Sequence, residues 1–442
     1  MEKYLQYVNS GFDWVGEIPA QWNNMRLRFV CEFRNGYTPS KANPDFWEDG
    51  IIPWYRMEDI RDTGRKLNEA KQYVTKDAIK GGGLFEAGSF ILATTATIGE
   101  HAVLIVDSLA NQQFTNLKIR KSLSHSLLRD YFFYYLFVID DYCKATTKTS
   151  TFPAVSMELL KNCHVVFPSL QEQMAIISYL DKKCFEIDKV ISAQQKRIAL
   201  LQELKQSVIT HAVTEGLDPN VEMKDSGVEW IDKIPTDWEV LPLKRFGKMN
   251  KGLTFTKADI VDEGNPAISY GQVHSKSNDG VSLKEDLIRF VPDIFVLNAK
   301  KSIAYQGDFI FADTSEDFEG CGNCVYNDTG QPIYGGYHTI VLQTGSTDAK
   351  YLAYLFRTDY WRYQIRSRVY GVKVYSITQS ILSLCSIIMP PVKTQKSIVS
   401  FLDKKCEEIN ISIDNAIAQI NLLQEYKQSL ITEVVTGKRK VS

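Results

Sequence analysis

Few residues in this chain have the types and spacing that chemistry requires. Cys321-Gly-Asn-Cys324 has the spacing of a zinc knuckle, with His338 downstream. A structural zinc takes four ligands, usually from two such pairs. No second cysteine pair is suitably spaced, so a structural zinc is disfavoured and no metal is assigned. Cys163-His164 sets a nucleophile beside a base, but Val165-Val166-Phe167 follow, and an apolar strand is the simpler reading. Asn43-Pro44-Asp45-Phe46 comes near the Asn-Pro-Pro-aromatic motif of amino-methyltransferases. The second proline is missing, and no glycine-rich cofactor loop follows a strand. Gly81-Gly-Gly83 precedes no Lys-Ser/Thr, so it is a loop and not a phosphate cradle. A single-chain enzyme is therefore disfavoured, and no catalytic residue is assigned.

Recognition chemistry is better supplied. In the first half Lys41, Arg56, Arg61, Arg65 and Lys66 fall among short polar segments. Thr94-Thr95-Ala96-Thr97 follows an apolar run, Asn111-Gln112-Gln113 precedes one, and Lys144 to Thr149, with Lys148, is basic and hydroxyl-rich. The second half offers Lys251, Thr254, Lys257, Tyr270, Gln272, His274, Lys300 and Lys301, then a run holding Arg362, Arg366, Arg368, Tyr370 and Lys373. Arg and Lys suit guanine edges, Gln and Asn suit adenine, and Lys and Thr hold phosphates. One residue at a time the signal is weak, and a solvated surface role is the favoured reading of each.

The composition bounds the setting. Of 442 residues, 44% are apolar and 24% charged, as in ordinary globular chains with two to four domains. No stretch reaches the roughly 18 apolar residues of a membrane span. The first residues lack the pattern of a secretory signal, and eight scattered cysteines suit reduced thiols, so a cytoplasmic protein is expected. The net charge of -2 means that any nucleic-acid surface must concentrate its basic residues locally.

What must position these residues is a duplication. Pro168–Thr214 aligns without gaps on Pro390–Thr436, with 24 identities in 47 positions. Chance would give about three. Ser10-Gly-Phe-Asp-Trp14, Ile18-Pro19 and Trp22 likewise match Ser226-Gly-Val-Glu-Trp230, Ile234-Pro235 and Trp238. Between these markers the halves diverge, apart from echoes at Gly36–Ser40 beside Gly252–Thr256 and Gly88–Ile91 beside Gly307–Ile310. One scaffold is kept while its middle parts differ, which favours two binding modules with different ligands.

After each Pro168-type start the apolar period becomes helical. Ile187, Ile191, Ile198, Leu201 and Val208 form one seam, and Ile409, Ile413, Ile420, Leu423 and Leu430 form the other. Lys205 and Lys427 interrupt the seams, and Gln194 is a third polar residue there. Two readings stay open: they fix the register, or the seam shifts and they face water. Gly216 and Gly437 end the helices. An antiparallel pair with pseudo-two-fold symmetry is expected. Residues 187–212 would span about 39 Å, close to one B-DNA turn of about 34–36 Å. A ruler and a simple dimerisation hairpin both fit.

The expected fold is α+β. Residues 1–166 form a first recognition domain (lead-in 1–22), 167–216 a helical region, 217–388 a second domain (lead-in 217–238), and 389–442 a second helical region. Predicted strands include 90–93, 102–106, 114–119, 308–311 and 338–342, with a buried helix over 127–142.

The lead-in motifs, Phe167-Pro168-Ser-Leu-Gln-Glu172-Gln173 and the paired helices together resemble the specificity subunit of type I restriction-modification systems, over essentially the whole chain. The second helix start departs, with Thr394-Gln395 in place of Glu-Gln. The resemblance implies a non-catalytic subunit whose two target recognition domains each read half of an asymmetric bipartite duplex DNA site. Its partners would be two modification subunits, which methylate adenine with S-adenosylmethionine, and motor-nuclease subunits using ATP and Mg. The helices would set the spacing and dock the modification subunits, and no cofactor is expected on this chain. Under that reading Gln112, Gln113 and Gln272 are candidates for base contacts. Lys144, Lys148, Lys257, Arg366 and Lys373 are candidates for phosphates. A coiled-coil adaptor that never meets DNA is the remaining alternative.

Overall fold

The computed structural model describes residues 3–147, 154–346, 348–371 and 373–441. The chain forms two compact units whose boundary falls inside both long helices. Met1–Gln194 joins Ala418–Ser442 in the first, and Gln195–Ile417 is the second.

In the first unit, strands Cys31–Asn35, Phe114–Ile119, Phe90–Ala93, His101–Leu104 and Lys66–Leu67 form one sheet in that order. A second sheet sets Ile52–Tyr55 between Leu109–Ala110, parallel to it, and Tyr73–Val74, antiparallel. Tyr55, Phe85, Ile91, Ala93 and Phe114 are among the residues filling one core. The opposite face of the larger sheet carries the helix Arg129–Thr146, whose Tyr131, Phe132, Tyr135 and Leu136 are fully buried.

The second unit repeats this plan with unrelated residues. Its larger sheet runs Lys248–Lys251, Thr339–Gln343, Phe309–Ala312, Cys324–Tyr326. Its smaller sheet again has a parallel pair, Asn265–Ile268 with Ile333–Gly335. Cys324 pairs with Phe311 in an antiparallel ladder, and both cysteines of the zinc-like pair are buried free thiols. The strand and helix positions agree with the sequence reading to within a few residues.

The long helices span Leu170–Thr214 and Val392–Val435. Gly216 (φ +85°) and Gly437 (φ +73°) take the left-handed conformation that ends a helix at low cost. In the first unit Asp188 meets Lys427 and Gln194 meets Gln419, so one sequence rises as the other falls and the pairing is antiparallel. Both Asp188 oxygens lie 2.7 Å from the Lys427 ammonium. In the second unit Lys205 donates to Asn410 over 2.9 Å. The seam lysines therefore bridge the helices and favour one register. Ile187, Ile409 and Leu430 are buried, and Ile191, Ile198, Leu201, Val208, Ile413, Ile420 and Leu423 are half-buried.

The helix ends pack elsewhere than their sequence neighbours suggest. Ile431, Val434 and Val435 enter the core of the first unit, and the Tyr131 hydroxyl donates to the Val435 carbonyl over 2.9 Å. Ile209, Ala212 and Val213 enter the core of the second, where Tyr351 donates to Val213 over 2.9 Å. Each lead-in is a hairpin turned by a buried serine, Ser10 or Ser226. Its tryptophan packs on a helix-ending glycine: Trp22 against Gly437, Trp238 against Gly216. The duplicated markers are thus the contacts that close each helix end onto a domain. No helix among the described residues is long and apolar enough to cross a membrane.

Candidate nucleic-acid interface

In both domains the polar loops gather at one edge, and the weak sequence echoes explain why. Gly36 donates to the Phe114 carbonyl and Tyr37 to Ala110. Gly252 donates to Thr339 and Leu253 to Gly335. A Cβ on Gly36 would lie 2.0 Å from the Asn111 carbonyl oxygen, and one on Gly252 2.1 Å from that of Gly336. Only glycine permits this approach. It brings the segment after the first sheet strand against the loop before the central strand, at equivalent places in the two domains.

In the first domain this edge joins Thr94–Thr97, Asn111–Gln113 and Thr38. Thr94 N–H donates to the Gln113 carbonyl at 2.8 Å, and Thr38 hydroxyl donates to the Gln112 side chain. Thr94 itself is buried, its hydroxyl against that of Thr115 at 3.1 Å, so it shapes the edge from beneath. Thr95 and Thr97 are half-buried and Gln112 is exposed. Arg56 lies over the Trp54 ring at 5.8 Å and pairs with Glu58. Lys41 and Arg61 are exposed. Lys148 lies outside the described residues.

A charged cluster around the buried His101 and Asp140 supports this loop. Arg65 contacts Glu100 at 3.0 Å and His101 Nδ1 at 3.0 Å, and Lys144 reaches Asp140 at 2.7 Å. Burial, reinforced by the Arg65 charge, holds the His101 imidazole well below its ordinary pKa. Burial raises that of Asp140, against the pull of Lys144. Gly99 lies over Asp140 with no room for a Cβ, which would come 1.8 Å from the carboxylate.

In the second domain the edge holds Tyr270, Gln272, His274, Asp313, Thr314, Asn323 and His338. Gln272 Oε1 accepts from Ser269 N–H at 3.2 Å. His274 Nε2 lies 2.9 Å from the Thr314 carbonyl. Lys251, Thr254, Lys257 and Lys373 are exposed, and Tyr370 is 90% exposed. Residues 375–376 pair with Ser315 and Thr314, which brings the segment after Tyr370 beside the edge. The arginines of that run face inward. Arg366 contacts Glu319 at 2.7 Å and the Phe318 carbonyl at 3.0 Å, and is 16% exposed. Arg368 lies over Trp230 and donates to the Gln364 carbonyl. Both are tied to their own fold and present little charge to a ligand. Sequence reasoning missed Asp313 and His338. Their signal was position, His338 just before the strand Thr339–Gln343 and Asp313 just after Phe309–Ala312, visible only once the two sheets are matched.

The family model for the type I restriction modification DNA specificity domain matches residues 19–200 and again 235–421, one copy for each half. The chain belongs to this family. It is similar to named specificity subunits from two organisms. It is 40% identical to the EcoprrI specificity subunit of Escherichia coli over 186 residues, which span 40% of this chain and 44% of that one. It is 22% identical to the MjaVIII specificity subunit of Methanocaldococcus jannaschii over 442 residues, covering 96% and 94% of the two chains. A chain from a solved structure concerning assembly and conformational transition of a type I restriction-modification system has the same fold. Its TM-score is 0.66 at 15% identity, covering 95% of this specificity subunit and 98% of that chain.

Proposed function

We propose that each recognition domain reads one half of an asymmetric bipartite duplex DNA target. The helices set the gap between the halves and dock two modification subunits. The chain is non-catalytic and acts in the cytoplasm. S-adenosylmethionine for adenine methylation, and the ATP and Mg of motor-nuclease subunits, belong to those partners. The observation that carries this reading is the repeated edge. One topology, fixed by Gly36 and Gly252, presents Gln112, Gln113 and Thr95 in one domain and Tyr270, Gln272 and His338 in the other. An enzyme would need one reactive constellation, whereas two frames with different polar faces suit two different half-sites. Under this reading Lys41, Arg61 and Lys148 in one domain, and Lys251, Lys257 and Lys373 in the other, hold phosphates. Methylome sequencing of cells with and without the gene tests the proposal. A bipartite adenine motif should vanish with the gene, and an unchanged methylome would sink it.

A further inference from the structure

The sequence reading gives His338 no role beyond the rejected zinc knuckle and the start of a predicted strand, yet it occupies the most unusual backbone on this edge. It is one of few described non-glycine residues with positive φ, at +55°. A side chain there is strained by about 1–3 kcal/mol, and such strain collects at functional sites. The residue is not held there for packing, because its side chain is 59% exposed. Its Nδ1 lies 3.2 Å from Asp313 Oδ1, and Tyr270 abuts the ring edge-on at 5.6 Å. The Asp313 carboxylate also accepts from the Thr314 hydroxyl at 2.8 Å.

The register gives this position a counterpart. Ala312 pairs with Thr339 as Ala93 pairs with Phe114. The preceding residues then match: Asp313 N–H donates to the His338 carbonyl at 3.1 Å, and Thr94 N–H to the Gln113 carbonyl at 2.8 Å. Gln113 is held from one side too, since Asn111 Nδ2 donates to its Oε1 at 3.1 Å.

We infer that the residue before the central strand, Gln113 in one domain and His338 in the other, reads a base in each half-site, with Asp313 as the positioning residue for His338. This rests on the proposed DNA-reading role. The polarity follows from the partners. A carboxylate only accepts, so Nδ1 donates to Asp313, and in the neutral imidazole Nε2 then presents a lone pair. It takes an amino donor in the major groove, adenine N6 or cytosine N4. Gln113 has its oxygen engaged and offers N–H donors, which suit guanine O6 and N7, adenine N7 or thymine O4.

The test uses the full chain assembled with its modification subunits. His338→Gly removes the reader and also suits the left-handed backbone, so the fold survives and the melting temperature should not fall. The methylated motif should become degenerate at one base pair of one half-site, with preference there falling about 10- to 100-fold. Asp313→Ala should blur that same base pair, and Gln113→Ala a single one in the other half-site. An unchanged motif in H338G overturns the inference. So does uniform loss of methylation at all sites with an unchanged melt, since His338 would then supply affinity without discrimination. If the parent complex yields no bipartite motif at all, the DNA-reading role itself fails and this inference with it.

Discussion

Ile431 and Ile209 are equivalent residues near the ends of the two long helices, and they make a crossed prediction. Ile431, at 0% exposure, packs in the core of the first unit, while Ile209, at 4%, packs in that of the second. Ile431 is thus far in sequence from the domain that it supports, and Ile209 follows the domain that it does not. Replacing a buried isoleucine by alanine costs about 2–5 kcal/mol, since the surroundings collapse only partly. That corresponds to roughly 30- to 5,000-fold faster exchange for amides that open with the unit. Hydrogen exchange with mass spectrometry reads it. I431A should deprotect the helix Arg129–Thr146, whose Tyr131 donates to Val435, and leave Lys350–Leu355 unaffected. I209A should do the reverse. If I209A instead loosens Arg129–Thr146, or each effect stays within its own long helix, the assignment of helix ends to domains is wrong.

The remaining predictions concern the seam, the edge and the buried histidine. K427M should lower the melting temperature at low salt by the equivalent of less than about 1 kcal/mol, because it strands a half-exposed Asp188, and this difference should fade at high salt. K205M, opposite neutral Asn410, should show no such salt dependence. Gly36→Ala and Gly252→Ala should each cost about 1–3 kcal/mol in thermal unfolding and weaken DNA binding by the assembled complex, since the new methyl drives the facing loop away. Acid should act through His101. Its native pKa is depressed, so below about 6.5 the unfolded chain binds the proton that the native one refuses. Stability of the first unit therefore falls as pH drops through that value, and H101F should flatten this slope in denaturant titrations, while Asp140, whose pKa is raised, opposes it.

The repeat made most of the frame legible. Pro168 and Pro390 marked the helix starts, Gly216 and Gly437 their ends, and the glycine echoes marked the edge because only glycine fits there. The departure at the second helix start also has a plain cause. Glu172 accepts from the Tyr4 hydroxyl at 2.5 Å, whereas Gln173 and Gln395 both donate back to the proline carbonyl five residues earlier, at 2.9 and 2.8 Å. Asn220 stands at the repeat position of Tyr4, so Thr394 needs no carboxylate. The destination of the helix ends was not legible, because an apolar stripe does not say which core receives it. The fate of the cations was hidden for a related reason. Arg366 and Lys144 look free in sequence but meet Glu319 and Asp140 through the fold. His338 was invisible as a partner of Gln113, since the two share a register and no chemistry.

The claim that the divergent domains each carry half of the information is tested most directly by exchange. Residues 23–166 would be replaced by the corresponding domain of another specificity subunit, and the methylome of cells expressing the hybrid with its modification subunits sequenced. The account predicts a motif with one new half-site, the other half-site and the gap being unchanged. A hybrid that methylates the original motif, or one that changes both halves together, would contradict it.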